Sequence, residues 1–167
     1  MKRAAAVAQL VALAAAGCGS HGGAPTDTHA PAAQPRSAEE DGVRAFVYAV
    51  AADVSREGPA AWRREFADGP EFFMAANGQL VFADGPAAAR GIEALTHTLP
   101  KIELHFGGDL RVDVLTNAFA LVGSSYSEVQ TDAQGQQRTE RGYFTGLAEL
   151  RDGHWRLRSA HWSSLPP

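Results

Sequence analysis

The chain has 167 residues, 45% of them hydrophobic and 20% charged, with a net charge of −4. That composition excludes an intrinsically disordered chain and leaves room for one globular domain plus some extra length. An acidic balance without a basic stripe also argues against nucleic acid as a partner, because such a surface gains nothing from counterion release on a phosphate backbone.

The chain opens with "MKRAAAVAQLVALAAAGCGS", in which Lys2 and Arg3 precede an apolar run from Ala4 to Ala16. A run this short does not cross a bilayer as a stable anchor, but it suits the apolar part of a secretion signal, here residues 1–17. Its removal would take away Lys2 and Arg3 and move the net charge from −4 to −6. The stretch Ala15-Ala16-Gly17-Cys18 resembles the lipobox of bacterial lipoproteins, although those more often carry leucine where Ala15 stands. The resemblance implies cleavage before Cys18, the single cysteine of the chain, and acylation of its sulfur and new amine. Each buried CH₂ contributes about 0.8 kcal/mol, so several acyl chains hold a small domain on a membrane. The expected place is the bacterial cell envelope. Gly19, where an aspartate would mark inner-membrane retention in the enterobacterial version, leans toward the outer membrane facing the periplasm. The alternative is ordinary cleavage near Gly17 or Ser20, which leaves Cys18 without a role. The remainder of residues 18–36 is rich in Gly, Pro, Ala and Thr and reads as a tether with a reach on the order of 25 Å. His21 and His29 in it make a poor metal site.

Residues 37–167 are the expected folded domain. Ser37 followed by Glu40 predicts a capped helix start, and Val43, Phe46, Val47, Val50 and Val54 recur on one helical face. Gly58 and Pro59 end that helix, and Pro59 opens a short second one carrying Trp62 and Phe66. "EFFMAANGQLVFA" reads as a hairpin turning at Asn77-Gly78. Pro86 fits the first turn of a third helix, capped by Asp84 or Gly85, running through Ile92 and Leu95 to Pro100. Four extended segments follow, 101–115, 117–130, 137–150 and 154–163, with a bulge or sharp bend expected at Gly107-Gly108. Short turns between successive strands imply antiparallel pairing. The order ααββαββββ is α+β, a long curved antiparallel sheet whose three helices enclose a cone-shaped pocket.

Following that element order, the closing hairpin "GYFTGLAELRDGHWRLRSAHWSS" resembles that of the nuclear transport factor 2-like superfamily, in its SnoaL-like branch. The resemblance covers residues 38–165 and rests on two strands around Asp152-Gly153, then Trp155, Leu157 and the His161-Trp162-Ser163 ending. It implies the fold and leaves activity open, because the family includes isomerases, dehydratases, cyclases, epoxide hydrolases and non-catalytic assembly domains. No catalytic set carries over. Tyr48 and Glu71 lack the third member of a ketosteroid-isomerase-like site, and His105 and His161 lack the aspartate of a scytalone-dehydratase-like one. The family's pairing through the convex side of its sheet implies a homodimer, with Trp162 as a surface residue.

Strand alternation places Trp155, Leu157, Ser159, His161 and Ser163 on one side of the last strand, with the first two as core. It places Phe144, Gly146 and Ala148 together on the strand before. For the preceding strand the resemblance favours Ala120, Val122, Ser124, Tyr126 and Glu128 as the inward set. His161 is then expected inside the cone beside Glu128 and Tyr126, with Met74, Ser124, Tyr126 and Phe144 as ligand-contacting wall. Two readings stand. In one, a lipid-tethered domain binds a small, mainly apolar molecule. In the other, an isomerase, lyase or hydrolase uses His161 as general base assisted by Glu128. For His161 itself, a core histidine bonded to a backbone carbonyl remains the competing assignment. No metal set, phosphate loop or cofactor motif is visible, so none is expected.

Overall fold

A computed structural model describes residues 37–166; Cys18, His21, His29 and the expected signal and tether lie outside the described residues. Ser37 caps α1 (Ala38–Glu57), its hydroxyl accepting from the Glu40 amide at 3.1 Å, and the buried face is Val43, Val47, Val50, Ala51 and Val54. The helix stops where expected. Gly58 takes φ 68°, and a Cβ there would stand 2.5 Å from the Pro100 carbonyl oxygen, so the chain needs glycine at this point. A single 3₁₀ turn (Gly58–Ala61) leads into α2 (Trp62–Glu65).

The hairpin β1 (Phe73–Ala76) and β2 (Gln79–Phe82) turns at Asn77-Gly78, with φ values of 50° and 81°. Asp84 accepts from the Ala87 amide at 2.6 Å and caps α3 (Gly85–Thr98), which has proline in its first turn. The expected long segment after Pro100 is two strands, β3 (Lys101–Phe106) and β4 (Arg111–Thr116), paired with opposite halves of β5 (Phe119–Thr131). The bend at Gly107-Gly108 is thus a complete break. Asp109 holds it in place, its carboxylate accepting from the Ser125 amide at 3.0 Å and the Ser125 hydroxyl at 2.7 Å. Then come β6 (Gln137–Arg151) and β7 (His154–Ser164).

The seven strands form one sheet in the order β2-β1-β7-β6-β5-β3, with β4 also on β5. All pairs are antiparallel except β1 with β7, which run parallel from Phe73 opposite Ser159 to Ala76 opposite Trp162. The chain between them is long enough for such a crossover, since it spans every other strand. On the other edge α1 lies across β3 and β4. Ser55 of α1 accepts from the Leu104 amide at 2.9 Å and donates to its carbonyl at 3.2 Å, which satisfies the free edge of β3.

The inner faces of β5 and β6 are as expected, from the resemblance for β5 and from alternation for β6: Ala120, Val122, Ser124 and Tyr126 on one, Phe144, Gly146 and Ala148 on the other, all buried. In β7 the alternation breaks. Ala148 pairs with Leu157, but Leu147 pairs with Ser159, so Arg158 is an extra residue in a β-bulge. Every residue after it changes face. Ala160 and Trp162 point inward and are buried, whereas His161 and Ser163 are exposed on the outer side. This corrects two expectations at once: His161 is outside the cone and Trp162 is inside it. The physical reason is the larger apolar area of an indole, together with Arg158 being held outward by Glu71 at 3.3 Å and Glu149 at 3.4 Å.

The Trp162 ring meets Phe144 at 4.6 Å, Tyr126 at 4.8 Å, Trp62 at 5.8 Å and Phe106 at 6.1 Å between centroids. Truncating it would leave a large void with no neighbour able to fill it. Trp162→Ala is expected to lose about 3–5 kcal/mol in urea unfolding, and His161→Ala to stay within about 0.5 kcal/mol of wild type.

Candidate functional site

The polar groups of the inner face gather where β6 begins and β7 ends. Register sets this arrangement: Glu128 stands directly opposite Glu140, and Gly142, inward next to Glu140, stands opposite Ser164. The Tyr126 hydroxyl lies 3.2 Å from Glu140 Oε1 and 3.0 Å from Ser164 Oγ. Ser164 also donates to Glu140 Oε1. Arg138 donates to the other oxygen, Oε2, at 2.7 Å. Asn77, at the hairpin turn, closes the set. Its amide donates to Ser164 Oγ at 3.2 Å, and its carbonyl oxygen accepts from the Ser164 backbone at 2.8 Å. The result is a carboxylate fixed by a phenol, a hydroxyl and a guanidinium, each positioned by a different strand or turn.

Glu128 lies deeper, half-buried between Leu104 and Glu140, and accepts from the Gln130 amide. Burial pushes its carboxyl above the usual carboxylate range and the nearby Glu140 adds to this, while Gln130 and Arg138 oppose it. The Tyr126 phenol is raised as well, first by burial, with Ser164 acting against it.

An open groove runs over this end of the sheet, lined among others by Asn77, Arg138, Glu140, Arg141, His161 and Ser164. His161 reaches it from the outer side, and no hydrogen bond or ion pair joins its ring to Glu128 or to any other described residue. The His161–Glu128 pairing expected from alternation is therefore not formed, and the bulge is the reason. Of the expected wall, Tyr126 is joined to the polar set. Phe144 is 1% exposed among the rings, and Ser124 is sealed at 0%, its hydroxyl donating to the Ser125 carbonyl at 2.9 Å. Met74 is half-buried against the core. None of these three reaches the groove. Tyr48 is exposed, as are His97 and His105. Glu71 is held by Arg151 at 2.9 Å and by Arg158, and the Arg151 contact, together with its backbone hydrogen bond, lowers its carboxyl below the usual range. Among the described residues no group of three His, Cys, Asp or Glu is placed to hold a metal ion.

Glu140, Arg138, Ser164 and Asn77 were not singled out by the sequence reading. Glu140 and Arg138 share the phase of Phe144, so carrying that alternation back through Gly142 would have found them in two and three steps. Ser164 was hidden by the bulge, and Asn77 was read only as a turn residue.

No family model matches the chain, and no curated protein matches it. Solved structures do. One is a nuclear transport factor 2-like superfamily protein from Salmonella enterica, with a TM-score of 0.59, 14% identity and coverage of 77% of this chain and 89% of that one. Another is a ketosteroid isomerase-like protein from Erwinia carotovora, with a TM-score of 0.61, 15% identity and coverage of 79% and 100%. A third is a hexachlorocyclohexane dehydrochlorinase, with a TM-score of 0.57, 12% identity and coverage of 74% and 85%. The domain has the nuclear transport factor 2-like fold. In this example of the fold, ring packing occupies the inner face, and the polar groups stand at the rim.

The folded-state proton affinity of Glu128 exceeds that of an unfolded glutamate, so as pH rises the unfolded chain ionises first and stability falls. Glu128→Gln keeps an acceptor for Gln130 and removes the titration. It should match wild type near pH ~4 and be the more stable protein near pH ~7, read as urea midpoints; a constant difference across that range would contradict the burial of this carboxyl.

Proposed function

We propose that this protein is a lipid-anchored domain of the bacterial cell envelope that binds a small molecule in the groove at the start of β6 and the end of β7. The observation that carries the reading is the Glu140–Ser164–Asn77 set lining one depression, with buried Tyr126 bonded behind it, so that several strands and a turn fix its polar groups. Small-molecule sites are built from a few convergent polar groups on a rigid frame. Most of the described side chains lining the groove are polar, with Leu165 and Pro166 as apolar members at one end. Enzymatic use of His161 as general base lacks the carboxylate neighbour that motivated it.

Two further parts belong to the same reading. Acylation at Cys18 provides the anchor, with the outer membrane facing the periplasm as its favoured place. A second copy packs on the outer face of the sheet. There Phe73, Leu147 and Leu121 lie in one row across β1, β6 and β5, and Leu121 and Phe73 are 48% and 47% exposed. Exposed apolar rows of this kind mark interaction surfaces.

Native mass spectrometry of the full chain released from nonionic micelles tests all three parts. Expected are an acyl mass that is absent in Cys18→Ala, a dimer that is lost in Leu121→Lys, and a small molecule carried by the wild type. Protein recovered without any bound small molecule, from cells and under non-denaturing conditions, contradicts the binding reading.

A further inference from the structure

The groove has two chemically different sides. On the inner side the polar groups are engaged with one another: Glu140 accepts from Tyr126, Ser164 and Arg138, and Asn77 uses both ends of its amide on Ser164. On the outer side lie Thr139, Arg141, His161 and Ser163, in the opposite phase of β6 and β7. Their side chains are exposed and have no hydrogen-bond or ion-pair partner among the described residues. What the groove leaves free is thus a row of donors, one of them a guanidinium, while Glu140, the one carboxylate lining it among the described residues, is already satisfied by three donors.

Spacing makes this row usable. The Arg141 carbonyl accepts from the Leu165 amide at 2.8 Å, Ser163 stands opposite Tyr143, and His161 stands opposite Thr145. Ser163 therefore sits between the strand levels of Arg141 and His161. Diagonal neighbours across an antiparallel pair lie roughly 7–8 Å apart. A guanidinium spans that gap to share an oxyanion with the Ser163 hydroxyl, and the imidazole lies one step further along the groove. A planar fork of N–H groups matches a carboxylate or phosphate two bonds at a time. The chain as a whole carries −4, so a free cation here is not part of a general basic surface.

We infer that the groove takes a small molecule bearing an oxyanion, carboxylate or phosphate, which Arg141 and Ser163 clamp while His161 donates to the ligand's body. This rests on the groove being the binding site. The inner set, with Glu140 already saturated, then acts as the rigid floor that holds β6 and β7 at the separation the clamp requires.

Calorimetric titration of the full chain in nonionic micelles tests the assignment, with succinate, inorganic phosphate and ethanolamine as probes. Succinate or phosphate is expected to bind and ethanolamine not to bind; whichever anion is preferred identifies the source of the oxyanion. Arg141→Gln should weaken that binding by about tenfold or more, whereas Arg90→Gln, which removes an exposed charge on α3, should leave it unchanged. Ethanolamine binding in place of the anions, no heat from either anion, or equal affinity in Arg141→Gln overturns the inference. If a ligand found by mass spectrometry is retained by Arg141→Gln, only the oxyanion assignment fails. If neither ligand nor anion binds, the groove reading fails with it.

Discussion

The indole of Trp162 packs against rings from α2, β3, β5 and β6, and the rest of the domain is arranged around that contact. A strand can deliver a side chain to the core only on one of its two faces, so the extra residue at Arg158 decides which half of β7 is apolar inside. Before the bulge, Leu157 is core; after it, Ala160 and Trp162 are. The bulge is held from outside by ion pairs of Arg158 and Arg151 with Glu71 and Glu149, and Glu149 is itself only 9% exposed. Exposed ion pairs contribute little one at a time. Here their effect is geometric, because they favour an outward Arg158 over a regular strand.

Filling the concave face with rings has a consequence for polar groups. Tyr126 is the last apolar inward residue of β5, and its hydroxyl is the point where the apolar interior ends. Beyond it the inward positions are Glu128 and Gln130 on β5, Glu140 and Arg138 on β6, and Ser164 on β7, and they bond to one another. The groove lies over this boundary. A binding surface here draws rigidity from the ring cluster below and access from the exposed outer residues beside it, without needing a cavity inside the sheet.

Much of this was legible in the residues, and the parts that were not share one cause. Ser37, Gly58-Pro59, Asn77-Gly78 and Asp84-Pro86 mark local chain geometry, and local geometry is decided by residues close in sequence. The inward phase of β6 was recoverable from its alternation through Phe144–Ala148, whereas in β5 Phe119 and Leu121 make the other phase almost as apolar, and the family resemblance decided for Ala120–Tyr126. The phase of β7 was missed because the Trp155–Leu157 alternation was carried straight through Arg158, although the apolar residues shift there from Leu157 to Ala160 and Trp162. His161 and Trp162 are adjacent, and the register with β6 decides between them. The parallel pairing of β1 with β7 was invisible, because it joins segments separated by most of the domain. The polar set followed the same rule: Glu128 was placed on the inner face through its own strand, whereas Ser164 needed the bulge to be known.

Hydroxyl-radical footprinting of the folded chain, read residue by residue across Ala160, His161 and Trp162, tests this account most directly. It predicts modification of His161 with Trp162 protected, although a tryptophan in solvent is among the most reactive side chains. Rapid oxidation of Trp162 with His161 protected would contradict it, since the strand would then run without a bulge and the imidazole, not the indole, would face the interior.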